Sequence, residues 1–252
     1  MEEFFGLLAT AEQAALLLDF DGTLAPFRVD PSKSHPWAGV SQRLDEIQKT
    51  RRTYLAIVTG RPASDVAQLL GMKTIPEIWG LHGAQRLNAT GQLEQEPLSA
   101  GQQAVIRDAR AVIRGAGMHW RIEEKPNAVA VHWRGESQRH VQSLKLKAHG
   151  LLQPFAEGAG VKLLTFDGGL ELRAGRNKGD AVRLILQELP VGVPAAYLGD
   201  DLTDEDAFEA INGRGLSVLV RREWRPGSAQ TWLRPPVQLR EFLTAWLQAT
   251  QR

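Results

Sequence analysis

Apolar and polar positions follow two different textures along this chain, and the change between them divides it. In the first part, short apolar runs stop abruptly at polar clusters. Ala15-Leu16-Leu17-Leu18 ends at Asp19 and Asp21, Tyr54-Leu55-Ala56-Ile57-Val58 at Thr59-Gly60-Arg61, and Ile78 to Leu81 at His82-Gly83. Runs this short and uniformly apolar read as strands covered on both faces, as in a parallel sheet. Between them, Val40, Leu44 and Ile47 recur at helical spacing over Val40–Lys49, and Pro62 opens a helix that ends at Gly71. Phe4 to Ala14 reads as a short leading helix, and the polar, proline-bearing stretch Pro26 to Pro36 as a loop.

From residue 86 the texture changes. Helices are expected over Gln102–Arg114 and Ser137–Glu157, and strands over Met118–Glu124, Ala128–Arg134, Val161–Phe166 and Leu170–Arg173. The turn sequences Lys125-Pro126-Asn127 and Asp167-Gly168-Gly169 pair these strands as hairpins. His132 and Arg134 alternate with Val131 and Trp133, so one sheet face packs on helices and the other is open.

The first texture then resumes. Asn177-Lys178-Gly179 opens a helix with Val182, Leu186 and Leu189 on one face, and Ala195–Leu198 is a strand ending in Gly199-Asp200-Asp201. A helix starts at Thr203-Asp204-Glu205-Asp206, Leu216–Val220 is a last strand and Leu239–Leu247 a last helix. The expectation is an α/β chain. Residues 1–85 and 173–252 form a Rossmann-like core around a parallel sheet, interrupted by an α+β domain at 86–172.

The strand ends carry the chemistry. Side chains two apart in a strand point the same way, so Asp19 and Asp21 face one site, and Gly22 permits a tight turn behind them. That site lies at the carboxyl edge of the sheet, where open α/β folds bind ligands. Two aligned carboxylates suit a divalent cation and a reaction needing a nucleophile and a proton carrier. Thr59 and Gly60 before a helix start suit an anion site, although the same residues by themselves read equally as a routine strand-to-helix turn. The helix dipole accounts for the acids at 204–206, but Asp200 and Asp201 precede that helix. With Lys178, every part of a phosphoryl-transfer site is available on one sheet edge.

Composition changes little in this picture. The chain has 252 residues, 43% hydrophobic and 23% charged, as expected of a soluble globular protein. A net charge of +1 provides no field to recruit nucleic acid or an anionic membrane. Arg221, Arg222 and Arg225 around Trp224 make only a short basic stretch, read as a solvated loop. The absence of cysteine excludes disulfides and thiolate metal sites. No Lys or Arg precedes Arg28, so a secretory signal is not expected, and a cytoplasmic monomer acting on a small molecule is.

The set DFDGTL, VTGR, NKGDA and GDDLTDEDAF, in this order, resembles the haloacid dehalogenase superfamily of phosphohydrolases, and the insertion resembles its αββαββ caps. Closer in, LHGAQ (81–85), EEKPNAVAVHWR (123–134), ELR (171–173) and GDDLTDEDAF (199–208) are similar to trehalose 6-phosphate phosphatases. The resemblance implies that Asp19 attacks phosphorus and that Asp21 protonates the leaving sugar oxygen, then deprotonates the water that hydrolyses the aspartyl phosphate. It implies that Thr59 and the neighbouring amides of Gly60 and Arg61 hold phosphoryl oxygens and that Lys178 neutralises their charge. Magnesium would bind the Asp19 carboxylate, the Asp21 main-chain carbonyl and Asp200, with Asp201 and Asp204 orienting its waters. The inserted domain would choose the sugar through Lys125, His132, Arg134, Glu171 and Arg173, and His82 could contact substrate or serve its loop. Other sugar phosphates (glucosyl- or mannosyl-glycerate phosphate, sucrose phosphate), a phosphomutase and a non-catalytic regulatory subunit are the alternatives. Gln85, where the family usually has an acid, and Ala174, where a proline is common, are departures expected at the junction of the two domains.

Overall fold

The computed structural model describes residues 1–28, 30–118, 121–158 and 160–251. The chain divides into two compact units, one of residues 1–94 and 177–252 and the other of residues 95–176.

The larger unit is built on an eight-stranded sheet. Its strands are β1 (Ala14–Leu18), β2 (Thr53–Val58), β3 (Glu77–Gly80), β4 (Gln85–Leu87), β5 (Leu93–Gln95), and, after the second unit, β10 (Ala195–Gly199), β11 (Gly215–Val220) and β12 (Thr231–Leu233), in the order β12-β11-β10-β1-β2-β3-β4-β5. From β12 to β3 all neighbours are parallel, and β4 returns antiparallel on β3. Strand β1 is fully buried along its length because its two faces serve two cores. Leu16 and Leu18 pack with α1 (Glu2–Thr10), α2 (Val40–Lys49), α3 (Ala63–Leu69) and α8 (Val237–Thr250). Ala15 and Leu17 pack with α6 (Lys178–Glu188) and α7 (Glu205–Ile211) on the other face. The order reverses between β1, which pairs β2 on one side, and β10 on the other, and a crevice at such a reversal is where ligands bind.

The smaller unit runs α4 (Ala100–Gly115), β6 (Ile122–Lys125), β7 (Ala128–His132), α5 (Gln138–Leu152), β8 (Val161–Phe166) and β9 (Gly169–Ala174). Its antiparallel sheet has the order β6-β7-β9-β8. Val129, Val131, Leu170 and Leu172 pack on Ile106, Ile113, Leu144 and Ala148 of the two helices.

Tertiary pairing moved several expected boundaries. Helix α1 stops at Thr10, not Ala14, because Ala14 already pairs with Thr53 in the sheet. Helix α5 ends at Leu152, and Gln153–Ala156 continues as a 3-10 turn where Pro154 cannot supply a helical N–H. Of the expected strand Met118–Glu124, residues 119 and 120 lie outside those described, and β6 begins at Ile122. The first unit runs to 94 rather than 85 because β4 pairs with β3, and the second runs to 176 rather than 172 because Arg173 and Ala174 belong to β9. The short strands β4, β5 and β12 exist through their sheet neighbours and carry no strong pattern of their own. Among the described residues no helix is long and apolar enough to cross a membrane.

Candidate active site

Strand β1 delivers Asp19 one residue past its end, where the Asp19 N–H donates to Leu198 O of β10 at 2.8 Å. The chain then turns through Gly22 at φ +83°. A Cβ at this glycine would lie 2.0 Å from Asp200 Oδ2, so the turn and the Asp200 side chain fit together only because no side chain intervenes. Strand β10 brings Asp200 in beside it. Carboxylate oxygens of Asp19, Asp200 and Asp204 all lie within 4.8 Å of one another.

One cation is already present among these acids. Lys178, at the first turn of α6, donates from Nζ to Asp19 Oδ1 and Asp204 Oδ1, at 2.7 Å each, and all three residues are buried. The helix is started by Asn177, whose side chain accepts the Asp180 N–H while Asp180 accepts that of Asn177. Burial alone would lower the Lys178 pKa, but the two carboxylates outweigh it and raise it, so Lys178 is charged. Burial lifts the Asp19 carboxyl from 3.8 to about 7 against the pull of Lys178, with Asp204 adding to the rise. Burial and the crowding of Asp19 and Asp204 push Asp200 well above the usual carboxylate range.

The three acids do different work. Asp204 is saturated. Its Oδ1 accepts from Lys178 and from Tyr197 O–H at 2.5 Å, and its Oδ2 accepts the N–H groups of Asp200 and Asp201 at 3.1 and 3.0 Å. It therefore ties the 200–201 backbone to Lys178 and Tyr197. Asp200 is the opposite case, because its Oδ1 is buried without a hydrogen-bond partner. An orphaned oxygen beside the Asp19 carboxylate, in a site holding more acids than cations, fits a hard divalent cation with few protein ligands. Asp201 Oδ1 accepts the Leu202 N–H at the start of the 202–204 turn.

Thr59 follows β2 and is buried, with its Oγ1 accepting the Arg61 N–H at 3.2 Å. Arg61 does not stand open toward a phosphate. Its Nε and Nη2 each donate to Asp21 at 2.6 Å, its Nη1 donates to Pro31 O, and its guanidinium lies 5.4 Å from the Phe20 ring. His82 is buried in a left-handed conformation, φ +58°, and its N–H donates to Thr59 O. A Cβ at Gly60 would lie 2.7 Å from the His82 ring, so the imidazole packs closely on the 59–61 loop. Gln85 lies in β4 and accepts the Ala63 N–H at 3.1 Å, which satisfies a backbone donor at the start of α3.

The second unit gathers the other predicted residues. The strand register pairs Lys125 with Ala128, Ala128 with Arg173, Ala130 with Glu171 and His132 with Gly169, so these polar side chains share the sheet face opposite the helices. Lys125 Nζ lies 2.9 Å from Glu171 Oε2, Arg173 Nη1 3.4 Å from Glu171 Oε1, and His132 Nε2 2.8 Å from Glu123 Oε2. Lys125, Glu171 and Arg173 are buried. Burial alone would lower Lys125, but Glu171 and Glu123 outweigh it and raise its pKa. Arg110 of α4 donates to the carbonyls of Lys125 and Ala128 and thereby holds this turn. Arg134 lies past the end of β7, with its guanidinium against Gly168.

The trehalose-phosphatase family model matches residues 17–231. The chain belongs to that family. It is 30% identical over 247 residues to the trehalose-phosphate phosphatase of Mycobacterium marinum, an alignment covering 92% of this chain and 61% of that one. The chain thus spans about three fifths of the length of that relative. The C-terminal domain of the Candida albicans trehalose-6-phosphate phosphatase has the same fold, with a TM-score of 0.83 at 20% identity over 99% of this chain and 96% of that one. A Bacteroides thetaiotaomicron phosphatase of the haloalkanoate superfamily also shares it, with a TM-score of 0.61 at 16% identity over 94% of this chain and 96% of that one.

Against this family background, sequence reasoning missed Tyr197, Glu123 and Arg225. Tyr197 carried a signal, since a hydroxyl in an otherwise apolar buried strand must find a partner. Glu123 carried one too, standing two positions before Lys125 on the same strand face. Arg225 lies in a short basic stretch whose sequence fits a solvated loop. Trp224 is indeed 62% exposed, but Arg225 donates to Asp201 O at 2.8 Å and pairs with Glu205.

Proposed function

We propose that this chain is a magnesium-dependent phosphatase that hydrolyses trehalose 6-phosphate to trehalose and phosphate by way of an aspartyl phosphate on Asp19. The observation that carries the reading is the unpartnered Asp200 Oδ1 beside a buried Asp19 already paired with Lys178. In the first step an Asp19 oxygen forms a bond to phosphorus while the bond from phosphorus to the sugar oxygen breaks, and Asp21 gives that oxygen its proton. In the second step water attacks the phosphorus, Asp21 takes up the water's proton, and phosphate leaves with Asp19 regenerated. Lys178 offsets the charge of Asp19 and the phosphoryl group, and Thr59 with the amides of the following loop holds the phosphoryl oxygens. Asp19 and Asp200 would hold magnesium together with the Asp21 carbonyl, and the ion when bound supplies charge neutralisation for the phosphoryl group.

The sugar is assigned to the polar sheet face of the second unit. Glu123, Lys125, His132, Glu171 and Arg173 present alternating charge there, and a disaccharide has many hydroxyls to bond with carboxylates and ammonium groups. The test is phosphate release from trehalose 6-phosphate, sucrose 6-phosphate, glucose 6-phosphate and mannosyl-3-phosphoglycerate, with magnesium and with chelator. The expected result is preference for trehalose 6-phosphate, abolished by chelator and by Asp19→Asn. Preference for another substrate in the panel would overturn the sugar assignment and keep the core chemistry, whereas isomerised sugar phosphate without free phosphate would overturn hydrolysis.

A further inference from the structure

The Asp200–Asp201 loop is held from two sides. On one side Asp204 Oδ2 accepts both of its N–H groups. On the other, two arginines donate to both of its carbonyls, Arg221 Nη1 to Asp200 O at 3.3 Å and Arg225 Nη2 to Asp201 O at 2.8 Å. A backbone segment with its donors and acceptors satisfied from opposite directions has little freedom to rotate. The direction of the Asp200 side chain, wedged against Gly22, follows from that backbone.

The arginines are themselves anchored. Arg225 Nη1 donates to Glu205 Oε1 at the start of α7, and the other oxygen, Glu205 Oε2, accepts the Ser228 N–H at 2.6 Å. A Cβ at Gly227 would lie 2.4 Å from Glu205 Oε1 and 2.8 Å from Arg225 Nη1, so the loop closes over this pair only with glycine there. Arg221 is fixed through its backbone, with its N–H donating to Leu233 O and its carbonyl accepting Trp232 Nε1 at 2.8 Å. Residues 221–232 are thus a strap between the edge strand β12 and the acidic loop.

We propose that Arg225, locked by Glu205 and assisted by Arg221, is a positioning residue that holds the Asp200–Asp201 loop in the geometry that lets Asp200 share a divalent cation with Asp19. The inference rests on the proposed metal site and goes beyond it by assigning its precision to a loop with no metal-ligating residue. Arg225 touches neither substrate nor reacting atoms in this role, and guanidinium is suited to it because one planar group can reach a carboxylate and a carbonyl at once.

The test is calorimetric titration of the metal-free protein with magnesium chloride, with thermal unfolding of the same samples in chelator. Wild type should bind one ion and Asp200→Asn should not. Arg225→Met, which keeps much of the stem and cannot donate, should weaken the magnesium dissociation constant about tenfold by loosening the loop. Arg225→Lys, which reaches one partner at a time, should lose about threefold. Gly227→Ala, which forces Glu205 and Arg225 apart, should weaken binding in the same direction, and the exposed Trp224→Ala should leave it unchanged. Unaltered magnesium affinity in Arg225→Lys and Gly227→Ala, with binding lost in Asp200→Asn, would overturn the positioning role and keep the metal site. A wild-type protein that binds no magnesium would overturn both. Should Arg225→Met fail to fold, the lysine and Gly227→Ala variants carry the test.

Discussion

Both side-chain oxygens of Asp21 are held by Arg61, through Nε and Nη2 at 2.6 Å each. The pair is largely shielded, with 15% of the Arg61 side chain and 25% of the Asp21 side chain exposed. Two parallel charge-assisted bonds from one planar guanidinium fix the plane and direction of the Asp21 carboxylate.

Replacing Arg61 should therefore affect catalysis more than folding. In Arg61→Ala, kcat for phosphate release is expected to fall by about 10- to 100-fold as Asp21 loses its orientation. The midpoint of urea unfolding should move only slightly. Arg61→Lys should recover little, because an ammonium cannot reproduce the two parallel bonds. Steady-state kinetics and denaturation curves on the same preparations check this, and an unchanged kcat would refute the orienting role.

The Asp19 carboxyl is raised from 3.8 to about 7, chiefly by burial. A carboxyl that binds its proton more tightly when folded contributes stability that is fully present below pH ~4 and is lost as pH rises through about 7. Asp19→Asn removes that titration and keeps an oxygen for Lys178. In chelator, the variant should be more stable than wild type at pH 8, by roughly 1–3 kcal/mol, with the difference closing toward pH 4. Urea unfolding across that range measures it, and a pH-independent difference would count against the assignment.

Gly22 and Gly39 have nearly equal backbone angles, φ +83° and +82°, in different surroundings. A Cβ at Gly22 meets the Asp200 carboxylate, whereas one at Gly39 meets nothing within 4 Å. Both alanine variants should lose on the order of 1 kcal/mol to backbone strain. Only Gly22→Ala should also lose activity, by more than about 100-fold, because Asp200 is displaced from Asp19. Comparable losses of activity in the two would point to a general effect of strain.

On the second unit, Glu171 accepts from both Lys125 and Arg173. In Glu171→Gln the geometry of an acceptor remains while the charge is lost. KM for trehalose 6-phosphate is expected to rise about tenfold, as a charge-assisted bond to a sugar hydroxyl weakens. The kcat should change much less, since this residue is assigned no part in the phosphoryl chemistry. A loss confined to kcat would remove Glu171 from sugar binding.

Much of the fold was legible in the sequence because its signals are local. The apolar run Ala15–Leu18, the helix Val40–Lys49 and the strand Val161–Phe166 follow from periodicity within a few residues, and the polar clusters mark where strands stop. The family resemblance placed chemistry on Asp19, Lys178 and Asp200, and the structure brings these side chains together. Signals failed where an element depends on its neighbours, as for β12, which is three residues long and exists by pairing with β11. They failed also for side chains whose partners are remote, since nothing near Arg61, Tyr197 or Arg225 in the chain says what each will bind.

The sequence by itself thus determined the apolar run of β1 with the acids that follow it, the turn at Gly22, and the αββαββ order of elements that interrupts the core. Only the tertiary structure decided that Asp204 spends its oxygens on Lys178, Tyr197 and two backbone amides, leaving Asp200 as the acid with an orphaned oxygen. The reason is distance along the chain. Lys178 and Asp19 are 159 positions apart, and the hydrogen bonds each carboxylate accepts are set by strand order and register, which no local pattern encodes.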